Sequence, residues 1–158
     1  MRKAVFSYFC GNSYRKDNTK MYEAIIERIK ERLTGRELSA VIIPHISPDG
    51  DAAGSCSALW QVLDKVGIQA QLMTCDYIPD YLKWLKRIPD AISFQNRPKE
   101  CKQWLHKADI LFMLDHNTVA REGDLEPFVK EFEGEVIMID HHPDPDDVTY
   151  RISYTSVS

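Results

Sequence analysis

The sequence has four cysteines, Cys10, Cys56, Cys75 and Cys101, but no Cys-x-x-Cys pair. Their spacing fits neither a zinc knuckle nor the disulfide framework of a small secreted domain. We therefore predict that they are buried, reduced thiols, as is usual in a reducing compartment.

The sequence also lacks a long apolar run, and a membrane-spanning helix needs about 20 such residues. The first ten residues, MRKAVFSYFC, combine basic residues with an apolar patch. That patch is too short for a signal peptide, and Phe9 is too bulky for the position before a cleavage site. We predict a soluble cytoplasmic protein that does not bind a membrane.

An excess of basic charge is missing as well. The chain has 20 Lys and Arg against 24 Asp and Glu, which gives a net charge of −4. A protein that coats DNA or RNA would be basic, so we do not expect extended DNA binding. The sequence contains neither a G-x-S-x-G motif nor a Walker A loop, which argues against an α/β-hydrolase and a P-loop NTPase.

Hydrophobic residues make up 44% of the 158 residues, enough for one domain with a sizeable core. Strands are predicted at Ala40–Ile46, Ala70–Cys75, Ala91–Phe94, Asp109–Asp115 and Glu135–Asp140, with a last one in the C-terminal stretch VTYRISYTSVS. Helices are predicted at Asn18–Leu33, Ala53–Val66 and Leu125–Phe132, and from Pro79 and Pro98 onwards. This alternation predicts a single α/β domain over residues 1–158, with a doubly wound, mostly parallel sheet and helices on both faces.

Side chains that can bind a metal occur at the ends of three predicted strands. They are His45, Asp49 and Asp51 after the first strand, Asp115 after the fourth, and Asp140, His141 and His142 at the end of the fifth. Because the carboxyl ends of parallel strands meet at one edge of a sheet, we expect these side chains to converge. Carboxylate and imidazole ligands suit Mn²⁺, Fe²⁺, Co²⁺ or Zn²⁺, and two cations would relieve the repulsion between the carboxylates.

Each motif has a simpler interpretation when it is taken alone. Asp-Gly-Asp is more often a turn, Asp115 could cap a helix, and the two histidines could be solvated. The combination at three strand ends favours a metal centre over these alternatives. Within it, Gly50 suggests a backbone angle that other residues resist, and the helix near Ala53 offers its positive end to a phosphate.

We expect the three tryptophans and one further histidine to have structural roles. Trp60, Trp84 and Trp104 lie at helical positions, where we expect core or half-buried side chains. His116 directly follows Asp115, and we favour a loop role for it over a role in the site.

Three stretches carry a family resemblance: HISPDGDAAGS, LDHNTVAR and IDHHPD. In order and spacing they resemble the first three motifs of the DHH phosphoesterases. The PDGDAAGS form is most similar to the branch that contains bacterial oligoribonuclease/3′-phosphoadenosine-5′-phosphate phosphatases and cyclic-dinucleotide phosphodiesterases. The resemblance covers about Ala40 to the end of the chain.

The resemblance implies a set of metal ligands. His45 and Asp49 would bind a first ion, Asp51 and His141 would bind a second, and Asp115 would bridge the two. Two Mn²⁺ ions are implied, with other divalent metals left open.

It also implies roles beside the metals. His142 would be a catalytic residue that faces the substrate phosphate as a hydrogen-bond donor or proton shuttle. Asp140 would fix a histidine from behind. Arg121 would contact the phosphate or the loop, and a plain surface role is the alternative for it.

The expected activity is metal-dependent hydrolysis of phosphoester bonds in short oligoribonucleotides or small nucleotides. In the family, a fourth motif supplies a further aspartate and a substrate-binding C-terminal domain follows. Both would lie beyond Ser158, so we expect a DHH-type domain truncated before them. The alternative is a non-catalytic metal- or nucleotide-binding module. A homodimer is left open.

Overall fold

The computed structural model of the chain describes residues 38–142 and the backbone of residues 152–155. The helix predicted at Asn18–Leu33 and the thiol of Cys10 lie outside these residues. The prediction of one domain over residues 1–158 therefore stays a prediction.

The described residues form a sheet of six parallel strands. The strands are β1 (Ser39–Pro44), β2 (Gln69–Thr74), β3 (Ile92–Ser93), β4 (Ile110–Leu114), β5 (Glu135–Asp140) and β6 (Ile152–Thr155). The α-helices are α1 (Gly50–Lys65), α2 (Pro98–Lys107) and α3 (Glu126–Lys130). Short 3₁₀ segments occur at Asp80–Leu82, Ile88–Asp90 and Val119–Leu125.

The sheet runs in the order β3-β2-β1-β4-β5-β6. From β1 the chain first moves outwards through β2 and β3, and it then returns to place β4 on the other side of β1. This is the strand order of a doubly wound α/β fold, with its switch point between β1 and β4. The carboxyl ends of β1 and β4 therefore border the crevice where such folds bind ligands.

The sheet is covered on both faces. All six residues of β1 are buried. Val41 and Ile43 pack in one core cluster with Cys101 and Leu105 of α2. Because side chains alternate along a strand, Ile42 faces the opposite side, where α1 packs against β1 and β2. The predicted fold class, a doubly wound parallel sheet with helices on both faces, is confirmed.

The cysteine prediction is confirmed for the three thiols that the structure describes. Cys56, Cys75 and Cys101 are free and buried, and burial raises the pKa of Cys101 to about 11. As for membrane association, no α-helix within the described ranges combines the length and the apolar character that a bilayer span requires.

The helix predicted from Pro79 is wrong. The segment consists of 3₁₀ turns in which Leu85 N–H donates to the Leu82 carbonyl and Ile88 N–H donates to the Leu85 carbonyl. These apolar residues recur every three positions, which suits 3₁₀ geometry better than α-helix. Arg87, at φ 71°, has a left-handed conformation directly before the 3₁₀ segment Ile88–Asp90. The prediction for Trp84 is also wrong, since that side chain is 79% exposed.

Candidate metal centre

The ends of three central strands are aligned. In the register of the sheet, Pro44 of β1 pairs with Leu114 of β4, and Leu114 pairs with Ile139 of β5. The residue that follows each of these is His45, Asp115 or Asp140. Regular strand pairing therefore brings three distant parts of the sequence to one edge of the sheet.

The ring of His45 has a defined tautomer. Its Nδ1 lies 2.7 Å from the Ile46 carbonyl oxygen, which can only accept, so Nδ1 carries the proton. The lone pair of Nε2 is then free, and Nε2 lies 3.7 Å from Oδ2 of Asp115. The backbone thus prepares this nitrogen to bind a metal ion.

Asp49 caps α1, which begins at Gly50 and not near Ala53. Asp49 Oδ1 accepts hydrogen bonds from Asp51 N–H at 3.0 Å and from Ala52 N–H at 3.1 Å. The bond from Ala52 does most to lower the pKa of Asp49, so this carboxylate stays ionised. The special backbone angle expected at Gly50 is absent, because Gly50 is the first helical residue and has no positive φ.

Asp115 is the buried carboxylate of the site, only 8% exposed. Burial raises its pKa, and the negative charge of Asp51 raises it further, whereas His141 and His45 act in the opposite direction. Its backbone is left-handed, with φ 61°, a conformation that non-glycine residues rarely adopt. A cation at this position would offset the cost of keeping the carboxylate charged.

His141 connects Asp115 to the first turn of α1. Its Nε2 lies 3.0 Å from Asp115 Oδ1 and 3.8 Å from Asp51 Oδ2. Both His141 and Asp51 are more than half exposed, so this side of the centre is open to solvent.

Asp140 holds His142 at two points. It accepts from the His142 backbone N–H at 2.9 Å and from the ring Nδ1–H at 2.7 Å. Nε2 of His142 is left as an acceptor, 3.4 Å from the guanidinium Nη1 of Arg121. The rings of His141 and His142 pack edge to face, with centroids 4.7 Å apart.

Two sets of three donor groups have their ligand atoms within 4.8 Å of one another, and Asp115 belongs to both. One set contains His45 and Asp49, and the other contains His141 and His142. The mixture of carboxylates with at least one lone-pair imidazole fits a divalent cation. The structure therefore brings all seven predicted site residues and Arg121 to one edge of the sheet, with Asp51 at its exposed border.

Sequence reasoning missed the role of His116, which is fully buried and hydrogen-bonded to fully buried Glu122. Nδ1 of His116 donates to the Leu114 carbonyl at 2.8 Å, so Nε2 is the ring nitrogen that faces the Glu122 carboxylate. Burial raises the pKa of Glu122. This hydrogen bond connects His116, next to Asp115, with Glu122, next to Arg121. The only signal in the sequence is a six-residue spacing across a loop.

Asp76 was also missed. After β2, its carboxylate accepts from Ser47 N–H at 2.9 and 3.1 Å and from Ser47 Oγ at 2.7 Å. Ser47 has φ 53°, so three hydrogen bonds to one carboxylate hold a strained residue two positions before Asp49.

The fold and the strand-end cluster together define a doubly wound α/β domain with a metal-capable centre. Residues 39–157 match the DHH family, N-terminal domain. The chain belongs to the DHH family. A comparison with curated proteins finds no match.

Among solved structures, the chain is similar to an exopolyphosphatase-related protein from Bacteroides fragilis, with 30% identity and a TM-score of 0.79. That similarity covers 84% of this chain and 38% of the other, so this chain spans well under half of that protein's length. RecJ from Thermus thermophilus in complex with Mn²⁺ has 17% identity and a TM-score of 0.43, over 84% of this chain and 16% of that one. The likeness to RecJ is too low to support a conclusion about this chain.

Proposed function

We propose that the protein hydrolyses phosphoester bonds in short oligoribonucleotides or small nucleotides with the help of two divalent cations. The observation that carries the proposal is the position of Asp115, a buried carboxylate shared by two sets of metal-capable donors. A carboxylate with donor groups on both sides suits two cations that are held close together.

His45, Asp49 and Asp115 would hold one cation. Asp115 and His141 would hold the other, together with Asp51, whose Oδ2 lies 3.8 Å from His141 Nε2, and His142 is left for the substrate. Mn²⁺ is the cation that we propose. Bound divalent cations would lower the pKa of a water molecule and polarise a phosphoryl oxygen, so a protein nucleophile is not needed. The protein would supply fixed ligand positions, which Asp49 gains from the helix N-terminus and His45 gains from the Ile46 carbonyl.

Arg121 and His142 would act on the substrate. The Arg121 guanidinium lies at the site and would pair with a phosphate oxygen. Asp140 orients His142 so that Nε2 can accept a proton and return it to the leaving oxygen. In this arrangement the Asp140 carboxylate hydrogen-bonds to His142, so Asp140 is a positioning residue.

The proposal is tested by assaying the purified chain in Mn²⁺ with an RNA dinucleotide and with 3′-phosphoadenosine-5′-phosphate. Asp115→Ala should abolish turnover. His106→Ala, which removes an exposed imidazole on α2, should leave turnover unchanged. Equal turnover in the Asp115 variant would refute the proposal.

A non-catalytic module is the alternative outcome of the same assay. Tight Mn²⁺ binding without turnover of either substrate would support metal or nucleotide binding as the function. We also propose a cytoplasmic location, for which the buried free thiols are the support.

A further inference from the structure

Two exposed aromatic side chains lie close to the candidate metal centre. Tyr81 and Trp84 are 68% and 79% exposed, whereas Trp60 is 3% exposed. Large aromatic side chains usually fill cores or form binding surfaces, because each offers a wide apolar face. Exposed rings this close to the candidate site are therefore candidates for a binding surface.

The segment that carries Tyr81 and Trp84 packs along α1. Its first contact is at the N-terminus of the helix, next to Asp49. Leu82 is buried, and a Cβ on Gly50 would lie 3.9 Å from its Cδ2. Ser57 Oγ donates to the Lys86 carbonyl at 2.6 Å. Gly50 and Ser57 are about 10 Å apart along a helix. Trp84 lies in the chain between these two anchors, and so stands within roughly that distance of the helix N-terminus.

Tyr81 and Trp84 lie three positions apart, and both side chains are exposed. Backbone bonds from Lys83 N–H to the Asp80 carbonyl at 3.1 Å and from Leu85 N–H to the Leu82 carbonyl at 3.0 Å give it 3₁₀ geometry. Residues three positions apart are nearly eclipsed in such turns. We call these two exposed rings, on a segment that buried Leu82 anchors, the Tyr81–Trp84 surface.

We infer that the Tyr81–Trp84 surface stacks the unpaired nucleobases of the substrate whose phosphoester lies at the metal centre. This inference rests on the proposed function. Nucleobases stack on exposed aromatic rings with little dependence on their sequence. The distance along α1, about 10 Å, is short enough for a nucleobase next to the phosphoester at the metal centre to approach the rings.

Charge beside the rings supports the same ligand. Lys86 is exposed, and none of the ion pairs among the described residues involves it. Its ammonium group is available to a phosphate of the nucleotide backbone. An inorganic polyphosphate has no ring to stack, so the aromatic surface favours a nucleobase-bearing substrate over a polyphosphate chain.

A second copy of the chain fits the Tyr81–Trp84 surface less well than a nucleobase does. The two side chains together expose roughly 300 Å². A stable dimer buries about 800 Å² on each partner. The surface is thus the size of one or two nucleobases and too small for a lasting protein interface by itself.

The test measures the Kd of a non-hydrolysable phosphorothioate-linked RNA dinucleotide in Mn²⁺, with inorganic phosphate as the base-free probe. Trp84→Leu should weaken dinucleotide binding by about 5- to 150-fold and leave phosphate binding unchanged. Trp84→Phe, which keeps an aromatic face, should retain most of the affinity. Val62→Ala, which shortens an exposed apolar side chain on α1, should have no effect.

The outcomes separate this inference from the proposed function. If Trp84→Leu weakens dinucleotide binding but the wild-type chain does not hydrolyse, the stacking surface stands and the proposed hydrolysis fails. If the wild-type chain hydrolyses and Trp84→Leu leaves Kd and KM unchanged, the stacking inference is refuted alone. Loss of a concentration-dependent dimer in Trp84→Leu, or equal weakening of both probes, would also overturn it.

Discussion

The buried pair of His116 and Glu122 allows a sharp prediction about stability. Glu122→Ala leaves His116 without its partner at a site with no solvent access. Removing one partner of a buried ionic pair typically costs about 3–5 kcal/mol, because the remaining polar group stays buried. We expect the free energy of unfolding of the metal-free chain to fall by that amount in urea titrations at pH 7.

A double-mutant cycle isolates the pair from ordinary packing. The combined His116→Leu and Glu122→Leu variant fills the space with apolar side chains and leaves no orphaned group. It should be more stable than either single leucine variant. Glu122→Gln can donate to Nε2 of His116, so it should lose less stability than Glu122→Ala. A cost below about 1 kcal/mol for Glu122→Ala would refute the buried-pair reasoning.

Three further predictions follow from single residues. Asp115→Asn should stabilise the metal-free chain by about 0.5–2 kcal/mol at pH 8, because it removes a buried charge that opposes folding. Since the folded pKa of Asp115 is raised, the gain should shrink as pH falls towards 3.8, and a pH series of urea titrations tests this sign. Gly123→Ala should lower the free energy of unfolding by about 1–3 kcal/mol, because Gly123 has φ 57° and the new Cβ would lie 2.8 Å from Cys75 Sγ. A variant that unfolds at the wild-type temperature would contradict this close contact. Asp76→Ala should cost about 1 kcal/mol and weaken Mn²⁺ binding by freeing Ser47, and an unchanged Mn²⁺ titration would argue against a positioning role.

The sheet could be predicted from the sequence because its central strands are buried on both faces. A short, continuous apolar run such as Ala40–Ile46 is typical of a parallel strand that is covered on both sides. The predicted strand Glu135–Asp140 has the same bounds in the structure. Alternation with helices then fixes a parallel sheet, and the convergence of strand-end residues follows from that geometry.

The rest depends on contacts that local patterns do not encode. The segment after Pro79 has apolar residues that fit an α-helix almost as well as 3₁₀ turns, and its packing along α1 decides between them. His116 resembles any loop histidine until the chain folds Glu122 against it. Asp76 acts on Ser47 across 29 positions, a pairing that only the neighbouring ends of β1 and β2 create.

The most direct test of the metal centre is a thermal unfolding titration with Mn²⁺, together with elemental analysis of the dialysed protein. Ligand at 100 times its Kd should stabilise the wild-type chain by about 2.7 kcal/mol. Asp115→Ala, which removes the carboxylate shared by both donor sets, should lose both this rise and the retained Mn²⁺. A wild-type chain that retains no metal and unfolds at the same temperature with and without Mn²⁺ would contradict the account.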